Sequence, residues 1–270
     1  MNERVSGSST QCPAGAPVER GESVGAAPAR GVDRARRGRA VSAQLLLVAH
    51  GTRDPAGATV TEAVAEQVRG LLGVRVAVCY ADVRQPTPAE ALAELPGAVV
   101  AVPMFLAAGY HVRVDVPAQL AATGRGDVLL AETFGPDPAL VAAAASRLRA
   151  AGLRDGDAVV LAAIGSSDPY ARADGATAAR LLARELRVPV TPATIAMGEL
   201  RVPDAVARLR ADGAERVAVA SWLLAPGVFQ RALVASGADV VAEPLATHEA
   251  VSRLVVARYT AALTNRTSVA

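Results

Sequence analysis

The sequence predicts an α/β fold made of two similar parallel-sheet lobes with a cleft between them. Three observations carry this: short continuous apolar runs alternate with longer amphipathic stretches, the series restarts near residue 157, and both series contain matching turn strings. Continuous apolar runs suit strands covered on both faces by crossover helices, as in a parallel sheet.

In the first series, Gln44 to Ala49, Val74 to Cys79, Ala98 to Val102 and Val128 to Ala131 read as strands, with helices between them. In the second, Ala158 to Ala163, Val188 to Ile195, Arg216 to Ala220 and Asp239 to Ala242 take the same places. The string Leu47-Val48-Ala49-His50-Gly51-Thr52-Arg53-Asp54-Pro55 aligns with Leu161-Ala162-Ala163-Ile164-Gly165-Ser166-Ser167-Asp168-Pro169. Phe105-Leu106-Ala107-Ala108-Gly109 aligns with Leu223-Leu224-Ala225-Pro226-Gly227. The expected organisation is an extension over residues 1–42, an N-terminal lobe with the active site over 43–154, and a duplicated C-terminal lobe without the histidines over 155–270. The extension lacks periodicity and reads either as disordered chain or as the product of a start codon placed too far upstream.

Composition narrows the function. The 270 residues are 51% hydrophobic, 20% charged and 3% aromatic, too apolar for disorder and too interrupted by charge for a membrane span. All 28 basic residues are arginine, so lysine Schiff bases and a phosphate loop ending in Gly-Lys-Ser/Thr are excluded. Seven of these arginines and four acids fall in residues 1–42, leaving 21 basic and 22 acidic residues in the body. That balance, with few aromatics, gives no nucleic-acid footprint and points to small-molecule partners. Cys12 and Cys79 form no zinc or disulfide pattern, which with the lack of an export signal predicts a cytoplasmic protein.

Three candidate residues fall at the carboxyl ends of first-series strands, where open α/β sheets bind ligands. His50 ends the first strand, Asp82 follows the second, and His111 lies just past the third, where a helix is expected to begin. Two imidazoles and a carboxylate suit a divalent metal such as Fe(II), Co(II), Ni(II) or Zn(II). In the second series Ile164 faces His50, Phe229 faces His111 and Glu199 faces Asp82, so any single site belongs to the first; Glu199 is either a remnant or a solvated turn residue. Asp54 and Asp168, each before a proline, read as helix N-caps. His248 is expected in the first turn of the last helix, and Trp222 and Phe229 in the cleft or core. Arg53, Arg84 and Arg113 lie near the candidates and are either ordinary surface residues or paired donors for substrate carboxylates.

The string Val48-Ala49-His50-Gly51-Thr52-Arg53-Asp54-Pro55, followed by Arg84-Gln85-Pro86-Thr87 and by Val102 through Gly109-Tyr110-His111-Val112-Arg113-Val114-Asp115-Val116-Pro117, resembles the sirohydrochlorin chelatase family of the CbiX and SirB type. The resemblance covers residue 45 to about 262, as in long, internally duplicated members. It implies a class II chelatase that inserts a divalent metal into sirohydrochlorin without ATP or organic cofactor, the metal being substrate: Fe2+ first, Co2+ next, or Ni2+. It implies that His50 and His111 handle the metal, that one of them or Asp82 accepts pyrrole protons, and that Arg53, Arg84 or Arg113 holds peripheral carboxylates. Asp82 stands where relatives often carry Glu, and the histidine-rich tail and iron–sulfur cysteines of some members are absent. The expected partners are the polycarboxylate tetrapyrrole and the metal, with no nucleic acid or membrane, in a monomer or homodimer. A two-lobed carrier of metal or tetrapyrrole without turnover is the alternative.

Overall fold

The structure, a computed structural model, describes residues 43–267, so the expected extension over residues 1–42 lies outside it. The first four strands are β1 (Gln44–Ala49), β2 (Val76–Tyr80), β3 (Val99–Pro103) and β4 (Val128–Leu130). They form one parallel sheet in the order β2-β1-β3-β4. The second sheet contains β5 (Ala158–Gly165), β6 (Val190–Met197), β7 (Val217–Ser221) and β8 (Val240–Val241), again parallel, in the order β6-β5-β7-β8. Two lobes of one topology are thus present, and each predicted strand lies within a few residues of an observed one. In both sheets the first strand of the repeat is central, so the order reverses between it and the third, which opens a crevice at their carboxyl ends.

Strand pleating divides the core. Leu45 and Leu47 of β1 turn to one face and join a cluster that also takes Val100, Val102, Leu161 and Ala220, so one apolar core is continuous between the two sheets. Leu46 and Val48 turn the other way, onto the outer helices α2 (Pro88–Ala93) and α3 (Val116–Ala121). The second sheet does likewise with α6 (Val202–Ala211) and α7 (Val228–Val234) outside.

The layer between the sheets is made by α1 (Pro55–Leu72), α4 (Pro138–Ala150), α5 (Pro169–Leu186) and α8 (Glu249–Thr267). Helix α1 buries Gly57, Thr61, Val64, Ala65 and Val68, the spacing of one helical face. The closing helices are exchanged. Helix α4, from the first repeat, lies against α5 and β7, whereas α8, from the second, lies against α1, β3 and β4. Tyr259 of α8 donates its hydroxyl to the Ala43 carbonyl, and Arg258 bonds the Thr133 carbonyl and pairs with Asp137 at 3.0 Å. Sequence division into two lobes carries no sign of this exchange.

Leu47→Ala, at a position with 0% exposure, should lower unfolding free energy by about 2–5 kcal/mol, whereas Leu71→Ala, at 56%, should stay within about 0.5 kcal/mol, both read by urea denaturation. Tyr259→Phe should cost about 1 kcal/mol in the same assay, since it removes one buried tie between α8 and the edge of β1.

Candidate active site

His50 follows β1 directly, and the chain must then turn sharply under its neighbour. Gly51 (φ +98°) lies so close to the loop after β2 that a Cβ would come within 2.1 Å of the Asp82 carbonyl oxygen. The Asp82 amide in turn donates to the His50 carbonyl at 2.9 Å. The loops bearing His50 and Asp82 are therefore fixed to each other through backbone, and only glycine fits at the crossing. Thr52 then accepts from the Asp54 amide, and Asp54 caps α1 by accepting from Ala56.

The third residue arrives from β3. The helix expected at His111 begins as one π-helical turn, His111–Asp115, before α3 continues. Such turns hold an extra residue per turn and occur often at functional positions. The His111 ring stands edge-on to that of His50, with ring centres 4.5 Å apart and planes at 72°, and Phe105 flanks His50 at 6.0 Å. With metal–nitrogen bonds of about 2.0–2.1 Å, ring centres lie about 3.2 Å from a shared ion, and a 4.5 Å separation then subtends about 90°, an ordinary angle between neighbouring ligands.

Asp115 was missed as a site residue, although its place four residues after His111 was the available signal. Its Oδ2 lies 2.7 Å from Nδ1 of His111, an atom shielded from solvent, without the alignment of a full hydrogen bond. A carboxylate behind an imidazole restrains the ring and leaves Nε2 free to act as a ligand. His50 reaches solvent, yet partial desolvation between Phe105 and His111 lowers its pKa below the ordinary 6.5. Charge on His111 acts the same way, while Asp82 and backbone hydrogen bonds oppose it more weakly. His50 is accordingly neutral at pH 7, the form that binds metals.

The remaining candidates surround this pair unevenly. Asp82 is exposed and its Oδ1 accepts from the Val83 amide, so its carboxylate is near His50 but partly engaged. A cavity of about 660 Å3 opens beside it, lined by Tyr80, Arg84, Gln85 and Gln119 among others. Arg84 bonds the Thr52 carbonyl at 3.3 Å and lies 5.8 Å from the Tyr80 ring centre. Arg53 is exposed, with no side-chain hydrogen bond or ion pair to a described residue. Arg113 instead lies over Tyr170 of the second repeat, 3.8 Å from the ring centre. Among the described residues no group of three or more His, Cys, Asp or Glu could hold a metal ion.

The second repeat keeps the frame and changes the chemistry. A Cβ at Gly165 (φ +94°) would come within 1.8 Å of the Met197 carbonyl, so the counterpart of Asp82 is Met197 and not Glu199, an exposed turn residue. The sequence alignment missed this because the β5–β6 register shifts between Ala163 and Gly165. All three positions thus become exposed apolar residues: Ile164 at 42%, Met197 at 55% and Phe229 at 39%. Trp222 is buried in the core, and His248 precedes α8, where its Nδ1 accepts from the Ala250 amide as a cap, one position earlier than expected.

Comparison with known proteins gives the same picture at the level of family and fold. The curated sirohydrochlorin cobaltochelatase of Methanothermobacter thermautotrophicus is 35% identical over 77 residues, covering 27% of this chain and 54% of that protein. The chain thus spans about half the length of that relative. The structure of SirB from Bacillus subtilis with Fe3+ superposes with a TM-score of 0.73 at 20% identity, over 84% of this chain and 98% of that one. CbiX, described as the terminal enzyme for biosynthesis of siroheme in denitrifying bacteria, gives 0.60 at 24% identity, over 81% and 99%. At these identities the structural matches establish the fold. The family model described as CbiX matches twice, over residues 44–151 and again over 158–262, once in each repeat, and the chain therefore belongs to the CbiX family.

Proposed function

We propose that this protein inserts a divalent metal into sirohydrochlorin without ATP, with Fe(II) as the first metal and Co(II) the next. The observation that carries this reading is the pair of imidazoles at 4.5 Å, with no third protein ligand among the described residues. A resident structural metal needs about four protein ligands, whereas two leave most of the coordination sphere for solvent and then for pyrrole nitrogens. An ion held so loosely can be handed on.

His50 and His111 present the metal, and the Asp115 carboxylate keeps the His111 ring in place. As the ion enters, two pyrrole N–H protons leave, so the macrocycle exchanges two positive charges for two. His50, His111 or Asp82 accepts these protons as general base. Arg53, exposed and unpaired among the described residues, offers the most available guanidinium for a peripheral carboxylate, and Arg84 sits at the cavity beside Asp82. Imidazole does not select strongly between iron and cobalt, so supply of the ion has a large share in the outcome. The relatives' own descriptions name both Fe3+ and cobalt. A reducing compartment such as the cytoplasm suits the free, buried thiol of Cys79.

Purified protein incubated anaerobically with sirohydrochlorin and Fe(II), Co(II) or Ni(II) should change the macrocycle's absorption much faster than metal alone. His50→Ala and His111→Ala should each slow insertion about 100-fold or more. Bound macrocycle with no acceleration for any ion would leave the non-catalytic carrier as the better account.

The lowered pKa of His50 gives a second expectation. Its ring should titrate with a midpoint below 6.5 by imidazole nitrogen NMR, and insertion should fall as acid protonates it. Because the folded pKa is the lower one, the unfolded chain binds more protons as pH drops below 6.5. His50→Gln should therefore gain stability relative to wild type on acidification, with no such gain at pH 7.5.

A further inference from the structure

The turn that carries His111 is held poorly by its own repeat. It buries no residue, Tyr110 before it makes no side-chain cap, and its amide bonds run locally to Gly109. Its ties to the other repeat, whose matching positions carry no imidazole, come from the first turns of α5 and its N-cap Asp168. The Ala108 amide donates to Asp174 Oδ2 at 2.8 Å. A methyl at Gly109 would touch Ala171 at 3.4 Å. Beyond the histidine, the Arg113 guanidinium lies 3.8 Å from the Tyr170 ring centre, and its Nη1 is 3.7 Å from Asp168 Oδ1. His111 is thus bracketed at residues 108 and 113 by Asp168, Tyr170, Ala171 and Asp174.

The reverse contact exists as well. Arg231, the counterpart of Arg113, pairs with Asp54, the counterpart of Asp168, at 2.9 Å, and this holds the Asp54 carboxyl below the usual range. Each repeat therefore caps its first helix with an aspartate that also faces an arginine of the other repeat. Duplication kept this reciprocal grip where it lost the imidazoles.

We propose that Tyr170 and Asp174 are positioning residues for His111, so that the second repeat sets the geometry of the imidazole pair without contributing a ligand to it. The link runs from Asp174 to the Ala108 backbone on one side and from Tyr170 to Arg113 on the other, so loss of either lets the turn swing. A misplacement of about 1 Å is enough to cost about 100-fold in a reaction that depends on aligned groups. The effect on insertion rests on the chelatase reading; the geometric claim does not.

The test uses the full chain carrying Tyr170→Ala, Asp174→Ala, or both, with Tyr170→Phe as the conservative control. Three readouts are compared: ring nitrogen NMR signals of the metal-free protein, Co2+ affinity without macrocycle, and kcat and KM for insertion. The double variant should shift the His111 signal while leaving His248 unmoved, weaken Co2+ binding about 10-fold, and lower kcat about 10-fold with KM nearly constant. Tyr170→Phe, which keeps the ring under Arg113, should restore what Tyr170→Ala loses. Thermal melts close to wild type would exclude general unfolding; if the double variant fails to fold, the single variants carry the same comparison. A His111 signal and Co2+ affinity unchanged from wild type would overturn the proposal. Wild-type protein that inserts no metal would instead overturn the chelatase reading, and the NMR comparison would still decide the positioning role.

Discussion

The four-helix layer shared by the two sheets is the constraint on which the rest of the molecule depends. Because α4 closes on the second sheet and α8 on the first, neither sheet completes its inner core from its own repeat. Burial of this layer removes apolar surface of both repeats from water in one step, so the core orders them together. The loops at the carboxyl ends inherit that fixed relation. The contacts of Asp54 with Arg231 and of Asp174 with Ala108 are made across a boundary the core has already set.

Comparison of the repeats separates frame from chemistry. Gly51 and Gly165 make the same backbone crossing, Thr52 and Ser166 accept from Asp54 and Asp168 in the same way, and both aspartates cap the helix that follows. These features depend on backbone approach and orphan helix amides, which any sequence with this fold must satisfy. His50, Asp82 and His111 answer no such need, and their counterparts are apolar. What differs between the repeats is the set of side chains proposed for ligation, not the frame that carries them.

Much of this was legible in the sequence because its signals are local. Apolar runs gave strands whose ends moved by only a few residues, β1 not at all, and aspartate before proline gave both caps. Histidines at strand ends drew attention because so few occur. The exchange of α4 and α8 was not legible: Tyr259 meets Ala43 across 216 residues, and neither carries a local sign of the other. The place of Met197 was hidden by a register shift that sequence spacing does not report. Asp174 reads as an ordinary polar residue of α5 until the fold brings Ala108 to it.

The π-helical turn that begins at His111 makes chain length at this point matter as well as side-chain identity. Removing one residue between Gly109 and Val116 would let the segment relax to an ordinary α-helix, in which each residue advances about 100° around the axis. With Val114 as the residue removed, the imidazole would turn relative to His50, although His50, Asp82, His111 and Asp115 all remained in the chain. A substitution at exposed Val114 alters a surface, whereas deleting it would change the direction in which the repeat presents His111. Insertions and deletions, rather than replacements, are the changes this segment has least freedom to absorb.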